Sequence, residues 1–318
     1  MRRHLKVIAV LAAFVVLGAA CGDDDDDTAS GSDSGTTVPE GPAISIGAQD
    51  FGESQIVAQI YQGALENAGY DVSVQDLTGF RELVFDGFES GDINLAPDYV
   101  ASQLEFLLAD AGEEGGQATS DVDETLAKLT PLLEDRDLVA LTPSDAVDTN
   151  AFVVTQQTSD DKDITTLSDL AANGSDLTLG APPDCETNGF CIPGLMRVYG
   201  VDFTSHFSPL EFGLIPDALD AGEVQIGVVG STDGRLADES TGWVLLEDDK
   251  GMFAADNVFP VASQELVDAY GDDFKDLMDS ISAQLTTDDL VAMNKRYDID
   301  HDDAEDIAAD WLSDNGFD

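Results

Sequence analysis

Residues 44–74 read ISIGAQDFGESQIVAQIYQGALENAGYDVSV. Residues 43–47, around Ile44 and Ile46, suit a short strand. From Glu53 to Ala68 the apolar residues Ile56, Ile60, Ala64 and Leu65 recur at helical spacing. Tyr70 to Val74 then reads as a second strand, so the stretch is one strand–helix–strand unit.

The same alternation runs outward from it. A helix is predicted over 80–89 with Leu83 and Phe88 inward, a strand over 95–99, a helix over 122–134, and strands over 138–141 and 151–155. A helix over 167–172 follows, with short buried strands over 177–180, 224–229 and 243–246. The last fifth reads as helical over 263–294 and 303–314. Strands alternating with helices place the chain in the α/β class with mostly parallel sheets. No repeat with a period of about 20–50 residues is present.

The 318 residues carry 13 Lys+Arg against 65 Asp+Glu, a formal net charge of −52, yet 43% are hydrophobic. That apolar fraction separates the chain from disordered acidic tails and predicts a folded body with a very acidic surface. Nucleic acid and anionic lipid are poor partners for such a surface, since both need a basic face. Salt tolerance, solubility and cation handling all remain compatible with the composition.

Arg2, Arg3 and Lys6 precede an apolar run over 7–17, and Gly18, Ala19 and Ala20 lead to Cys21. The run is about 11 residues, short of the ~20 a spanning helix needs, so residues 1–20 read as a secretory signal. Small residues before a cysteine resemble a bacterial lipobox, in which Cys21 takes the lipid and becomes the mature N-terminus. The alternative is an ordinary cleaved signal with an incidental cysteine. Residues 21–42 are rich in Asp, Ser, Gly and Thr and read as a flexible acidic tether. Removing the signal takes away three cations and no acid, leaving −55.

Cys185 and Cys191 remain, and in an exported protein a disulfide is favoured over a metal pair, for which no further His or Cys lies close in sequence. Catalytic motifs are scarce. Only His206 and His301 survive signal removal, and no nucleophile elbow, P-loop or paired zinc-binding histidines occur. Asp298, Asp300 and Asp302 suggest a calcium loop, but Asp303 and Ala309 stand where that loop needs Gly and Glu. Capping of the last helix is the better reading there. The chain reads as a non-enzyme with no cofactor and no metal.

Six stretches in order carry a resemblance: ISIGAQDFGE (44–53), SGDINLAPDYVAS (90–102), LGAPPDCETNGFCIPGLMRVYGVDF (179–203), ALDAGEVQIGVVGSTDGRLA (218–237), VLLEDDKGMFAADNVFPV (244–261) and LVAMNKRYDIDHDDAEDIAADWLSDNGF (290–317). Together they resemble the substrate-binding proteins of osmoprotectant ABC transporters, the glycine betaine/choline/carnitine family. The resemblance implies a two-lobed, periplasmic-binding-protein-like fold of type II with a ligand cleft between lobes. Lobe 1 would hold 44–148 plus 253–318, and lobe 2 would hold 149–252. The implied partners are a small-molecule solute, an ABC transporter permease and, through the N-terminal lipid, the membrane. The protein would be a monomer, extracytoplasmic and anchored as a lipoprotein.

Carried over by position, Tyr99 matches a cage tyrosine, Ser102 the second Thr of the family's Pro-acid-Tyr-Thr-Gly-Thr motif, and Gln49 a solute-contacting Lys or Gln. Asp148 matches an acid near the cation. Three further tyrosine positions fall on Asn150, Gly230 and Asp256, and an arginine that would hold a betaine carboxylate falls on Asn188. Three lost rings at ~1 kcal/mol each weaken standard betaine binding by about 3 kcal/mol, more than 100-fold. Plainer roles compete at each position. Tyr99 suits a half-buried strand end, Asp148 and Asn150 suit hinge turns, and Gln49 and Phe51 suit capping and stapling of the next helix. Thr232 and Asp233 suit a turn and helix start. A sensor that reports the solute, or an enzyme on the same fold, are the rival functions.

Overall fold

The computed structural model describes residues 41–77, 81–238 and 240–317. The signal, Cys21 and nearly all of the tether lie outside the described residues. In chain order the main elements are β1 (Ile44–Ala48), α1 (Gly52–Asn67), β2 (Val72–Asp76), α2 (Arg81–Ser90), β3 (Leu95–Tyr99), α3 (Val100–Asp110), α4 (Val122–Glu134) and β4 (Leu138–Ala140). They continue with β5 (Asn150–Thr155), α5 (Gln156–Lys162), α6 (Leu167–Asn173), β6 (Leu179–Ala181), α7 (Ile192–Gly194), β7 (Phe207–Pro209), α8 (Ile215–Asp220), β8 (Ile226–Gly230) and β9 (Trp243–Leu245). The chain closes with β10 (Val258–Ser263), α9 (Gln264–Ser282), α10 (Thr287–Asn294) and α11 (Ala304–Asn315).

Two five-stranded sheets result, ordered β2-β1-β3-β10-β4 and β7-β6-β8-β5-β9. In each, one strand runs against the other four: β10 is antiparallel to β3 and β4, and β5 is antiparallel to β8 and β9. The chain leaves the first sheet after β4, builds the second, and returns as β10. Each reversed strand is therefore the first one laid down after a crossing. The two crossing segments hold each other: Val147 bridges Asn257, Asp148 N–H donates to the Asp256 carbonyl at 3.2 Å, and Val258 N–H donates to Ala146 at 2.9 Å.

Side-chain alternation decides which face each sheet buries. On β10, Val258 and Ala262 join the core with Ile44, Ile46, Ile56 and Ile60, against which α9 and α11 bring Phe274 and Trp311. Phe259 and Val261 point the other way, onto Leu104 of α3 and Leu129 of α4. In the second sheet Phe152 and Val154 pack with Leu179 and Ile226, while Val153 packs with Leu219 and Val224.

The predicted alternation holds, with differences that have local causes. α2 meets the expectation in part: Phe88 packs inward, but Leu83 is 39% exposed, and Val84 and Gly87 are the buried positions. β10 is a strand where the sequence reading placed no element, and although Pro260 lacks a donor it lies between two neighbours. Pro260 sits opposite Pro97 of β3, and its carbonyl accepts from Leu141 N–H at 2.9 Å beside the end of β4. The missing N–H therefore falls where the ladder already stops. Before α11, Asp303 makes no side-chain cap, and Asp300 and Asp302 instead pair with Lys295 and Arg296 at 2.8 Å. Cys185 and Cys191 form a disulfide with Cα atoms 5.1 Å apart, both side chains buried. Among the described residues no helix is long and apolar enough to cross a membrane.

Candidate functional site

A cavity of about 850 Å³ opens where β1, β3 and β8 end, with walls from both sheets and both crossing segments. Ligand crevices of α/β folds lie beyond the carboxyl ends of their strands, and this one obeys that rule. All nine positions singled out in the sequence line it: Gln49, Phe51, Tyr99 and Ser102 from the first sheet, Asp148 and Asp256 from the crossings, and Asn150, Asn188 and Gly230 from the second.

Local folding fixes each one. Tyr99 ends β3 and is the N-cap of α3, so strand passes into helix without a loop, and its ring is only 8% exposed. Its hydroxyl donates to Glu53 Oε1 at 2.6 Å, while Asn294 Nδ2 donates to Glu53 Oε2 at 2.6 Å and to the Thr232 carbonyl at 2.9 Å. Phe51 is the N-cap of α1 without a side-chain cap bond, and its ring stacks on Tyr99 with centroids 6.2 Å apart. Gln49 is 3% exposed, and its backbone N–H donates to Ser54 Oγ at 3.0 Å. The Gln49 amide nitrogen Nε2 has no hydrogen-bond partner, and the N-cap position of α1 is Phe51, not Gln49.

Ser102, in the first turn of α3, donates to Asp256 twice, from N–H at 2.9 Å and from Oγ at 2.5 Å. Asp148 Oδ1 is buried without a hydrogen-bond partner. Asn150 lies opposite Gly230 in the β5–β8 ladder. Asn188 sits inside the disulfide loop and turns its amide oxygen onto Phe190 N–H at 2.9 Å.

Of the described residues, seven acids line the cavity, among them Glu53, Asp148 and Asp256. Burial pushes Asp148 up to about 8, helped by the charge of Glu53 and opposed by hydrogen bonds from Thr232. Burial likewise raises Asp256 to about 6 against the pull of Ser102, and it raises Glu53 despite hydrogen bonds from Tyr99 and Asn294. Arg81 also lines the cavity, but it is committed to Asp98: Nε lies 3.0 Å from both carboxylate oxygens and Nη2 2.6 Å from one. Phe106, Phe190, Phe212 and Phe253 add ring faces. Acceptors and rings around a cavity favour a cation or a hydrogen-bond donor.

Sequence reading missed Glu53, Arg81, Asn294 and the phenylalanines as wall residues. Glu53 closes the first of the six matched stretches, and Thr232 and Asn294 lie inside the fourth and sixth, so those stretches carried the signal. Asp233 does start a short helical turn, accepting from Arg235 N–H at 2.9 Å. Thr232 does more than turn the chain: it is buried, and its carbonyl accepts from Asn294 Nδ2 at 2.9 Å.

Residues 42–314 match the family model described as the substrate binding domain of ABC-type glycine betaine transport systems. A glycine-betaine-binding protein of Pseudomonas aeruginosa is 27% identical over 279 residues, 85% of this chain and 86% of that protein. The carnitine transport binding protein OpuCC of Listeria monocytogenes is 25% identical over 278 residues, 86% of this chain and 87% of that protein. Among solved structures, a glycine betaine/carnitine/choline ABC transporter protein superposes with a TM-score of 0.76 at 23% identity, over 87% of this chain and 99% of the other. Apo YehZ from Escherichia coli gives 0.73 at 21% identity with the same coverage. These two structures share the fold of this chain.

Proposed function

This chain belongs to the family of substrate-binding domains of ABC-type glycine betaine transport systems, and from that premise we propose that it captures a small osmoprotectant-like solute in the cavity between its sheets and delivers it to a membrane permease. Family members are non-enzymatic and extracytoplasmic. In this reading Cys21 carries the lipid, residues 21–42 are the tether, and lobes of 44–148 plus 253–318 and of 149–252 close on the solute as a monomer. Binding to the closed form best is what lets closure report occupancy.

The observation that carries the reading is the cavity wall, where buried Gln49 Nε2 and Asp148 Oδ1 lack hydrogen-bond partners beside stacked rings. Buried groups left unmatched cost about 1–3 kcal/mol each, which a bound solute would recover. The solute belongs to the glycine betaine/choline/carnitine class, held by an altered cage in which phenylalanines and carboxylates stand in for missing tyrosines. Calorimetric titration with choline, glycine betaine, carnitine, ectoine and polyols tests it. One-to-one binding of a member of the panel is expected, and silence across the whole panel would reject the ligand class.

A further inference from the structure

Resting on that reading, we infer that Gly234 is a positioning residue for solute binding: its missing side chain lets the two proposed lobes meet in a seam that Asn294 fastens, so it sets affinity without touching the solute. Gly234 opens the helical turn Gly234–Ala237, which follows β8 of the second sheet. That turn packs on α10 and on Lys295–Asp300, which belong to the chain after its return to the first sheet. A Cβ on Gly234 would lie 2.4 Å from Lys295 N, 2.5 Å from Lys295 Cα and 2.8 Å from the Asn294 carbonyl carbon. All three are backbone atoms, which cannot swing aside as the end of a side chain can. Gly234 is buried, and it is not among the glycines with positive φ. Space at the contact, not backbone conformation, therefore demands glycine here.

The same contact carries a polar fastener. Asn294, 7% exposed, gives Nδ2 to Glu53 Oε2 of α1 at 2.6 Å and to the Thr232 carbonyl at 2.9 Å. Glu53, Thr232 and Asn294 all line the cavity, whereas Gly234 does not. The far end of α10 is held at the crossing, where Val147 N–H donates to Thr287 Oγ1 at 2.9 Å. From Thr287 to Asn294 the helix rises about 10 Å. An ordinary carbon contact needs about 3.5 Å, so a methyl group on Gly234 requires about 1 Å more room. With the pivot at the crossing, that displacement turns the lobes apart by about 5°. A solute that binds the closed form best then loses affinity in proportion to the closed fraction.

The test uses the full chain, its Gly234→Ala and Gly234→Val variants, and choline, glycine betaine and carnitine as probes. Calorimetry reads affinity, and urea unfolding identifies which variants are folded. Spin labels on exposed Glu89 of α2 and exposed Asp217 of α8 read the separation of the lobes with and without each probe. Expected in Gly234→Ala are affinity at least about tenfold weaker and a label separation longer than the shortest one the parent reaches, with both effects larger in Gly234→Val. Asn294→Ala removes the fastener without adding bulk, and it should weaken binding and lengthen the separation even where the glycine variants do not fold. Parental affinity, or a parental label separation, in folded Gly234→Ala overturns the inference and leaves the solute-binding reading intact. Silence of the parent toward all three probes rejects that reading instead. The ligand-free separation then decides the seam: longer in Gly234→Ala supports it, and unchanged overturns it.

Discussion

At the scale of single residues, the buried acids set both stability and pH response. Tyr99 O–H is one of two donors on Glu53. Tyr99→Phe keeps the ring and removes the bond, so chemical denaturation should show a loss of about 1–2 kcal/mol. Asp148 has the opposite character. Its folded-state value lies near 8 against an ordinary 3.8, so between those values the folded chain holds a proton that the unfolded chain has lost. Its contribution to the ligand-free protein therefore falls as pH rises through that window. Asp148→Asn cannot ionise, so its stability relative to the parent should improve toward pH 8, by on the order of 2 kcal/mol after allowing for partial exposure. Urea unfolding of both proteins at several pH values measures the gap, and a gap independent of pH would contradict the argument.

At the scale of elements, the sequence was legible where pattern and punctuation agreed. The β1–α1–β2 unit follows from Ile44, Ile46 and the Ile56–Ile60–Ala64 spacing, and both sets are buried as expected, with Val72 and Val74 of β2 partly buried against the same core. β10 went unassigned, and it is a paired strand that carries a proline, tolerated in the register opposite Pro97. α3 escaped because β3 runs into it at Tyr99 with no glycine or proline to mark the change. Glu53 was read as an ordinary helix-start residue, since spacing alone says nothing of the cavity above α1. The disulfide loop makes its own prediction. Cys185–Cys191 closes seven residues that present Asn188 and Phe190 to the cavity. Replacing both cysteines by serine should lower stability by about 2 kcal/mol in the chain-entropy description. Solute binding should weaken as well, because the loop must then be ordered on binding, and unchanged affinity would show that the loop takes no part.

At the scale of the whole molecule, charge is the dominant fact. The net charge is −52, and the basic side chains at Arg136, Lys162, Lys275, Lys295 and Arg296 are each already beside an acid. The remaining excess repels itself and opposes compaction. Raising salt from about 0.1 M to about 1 M shortens the Debye length from about 10 Å to about 3 Å, so the urea midpoint should rise. A midpoint indifferent to salt would contradict this account of the surface.

The proposed solute site lies between the two sheets, among Phe51, Tyr99, Glu53, Asp148 and Asp256. A crystal structure of the chain grown with saturating choline tests it most directly. The account predicts the quaternary nitrogen within about 6 Å of a cavity ring centroid, next to Asp148, with the ligand hydroxyl on Gln49 Nε2. Choline bound elsewhere, or a cavity left empty at saturation, would contradict it.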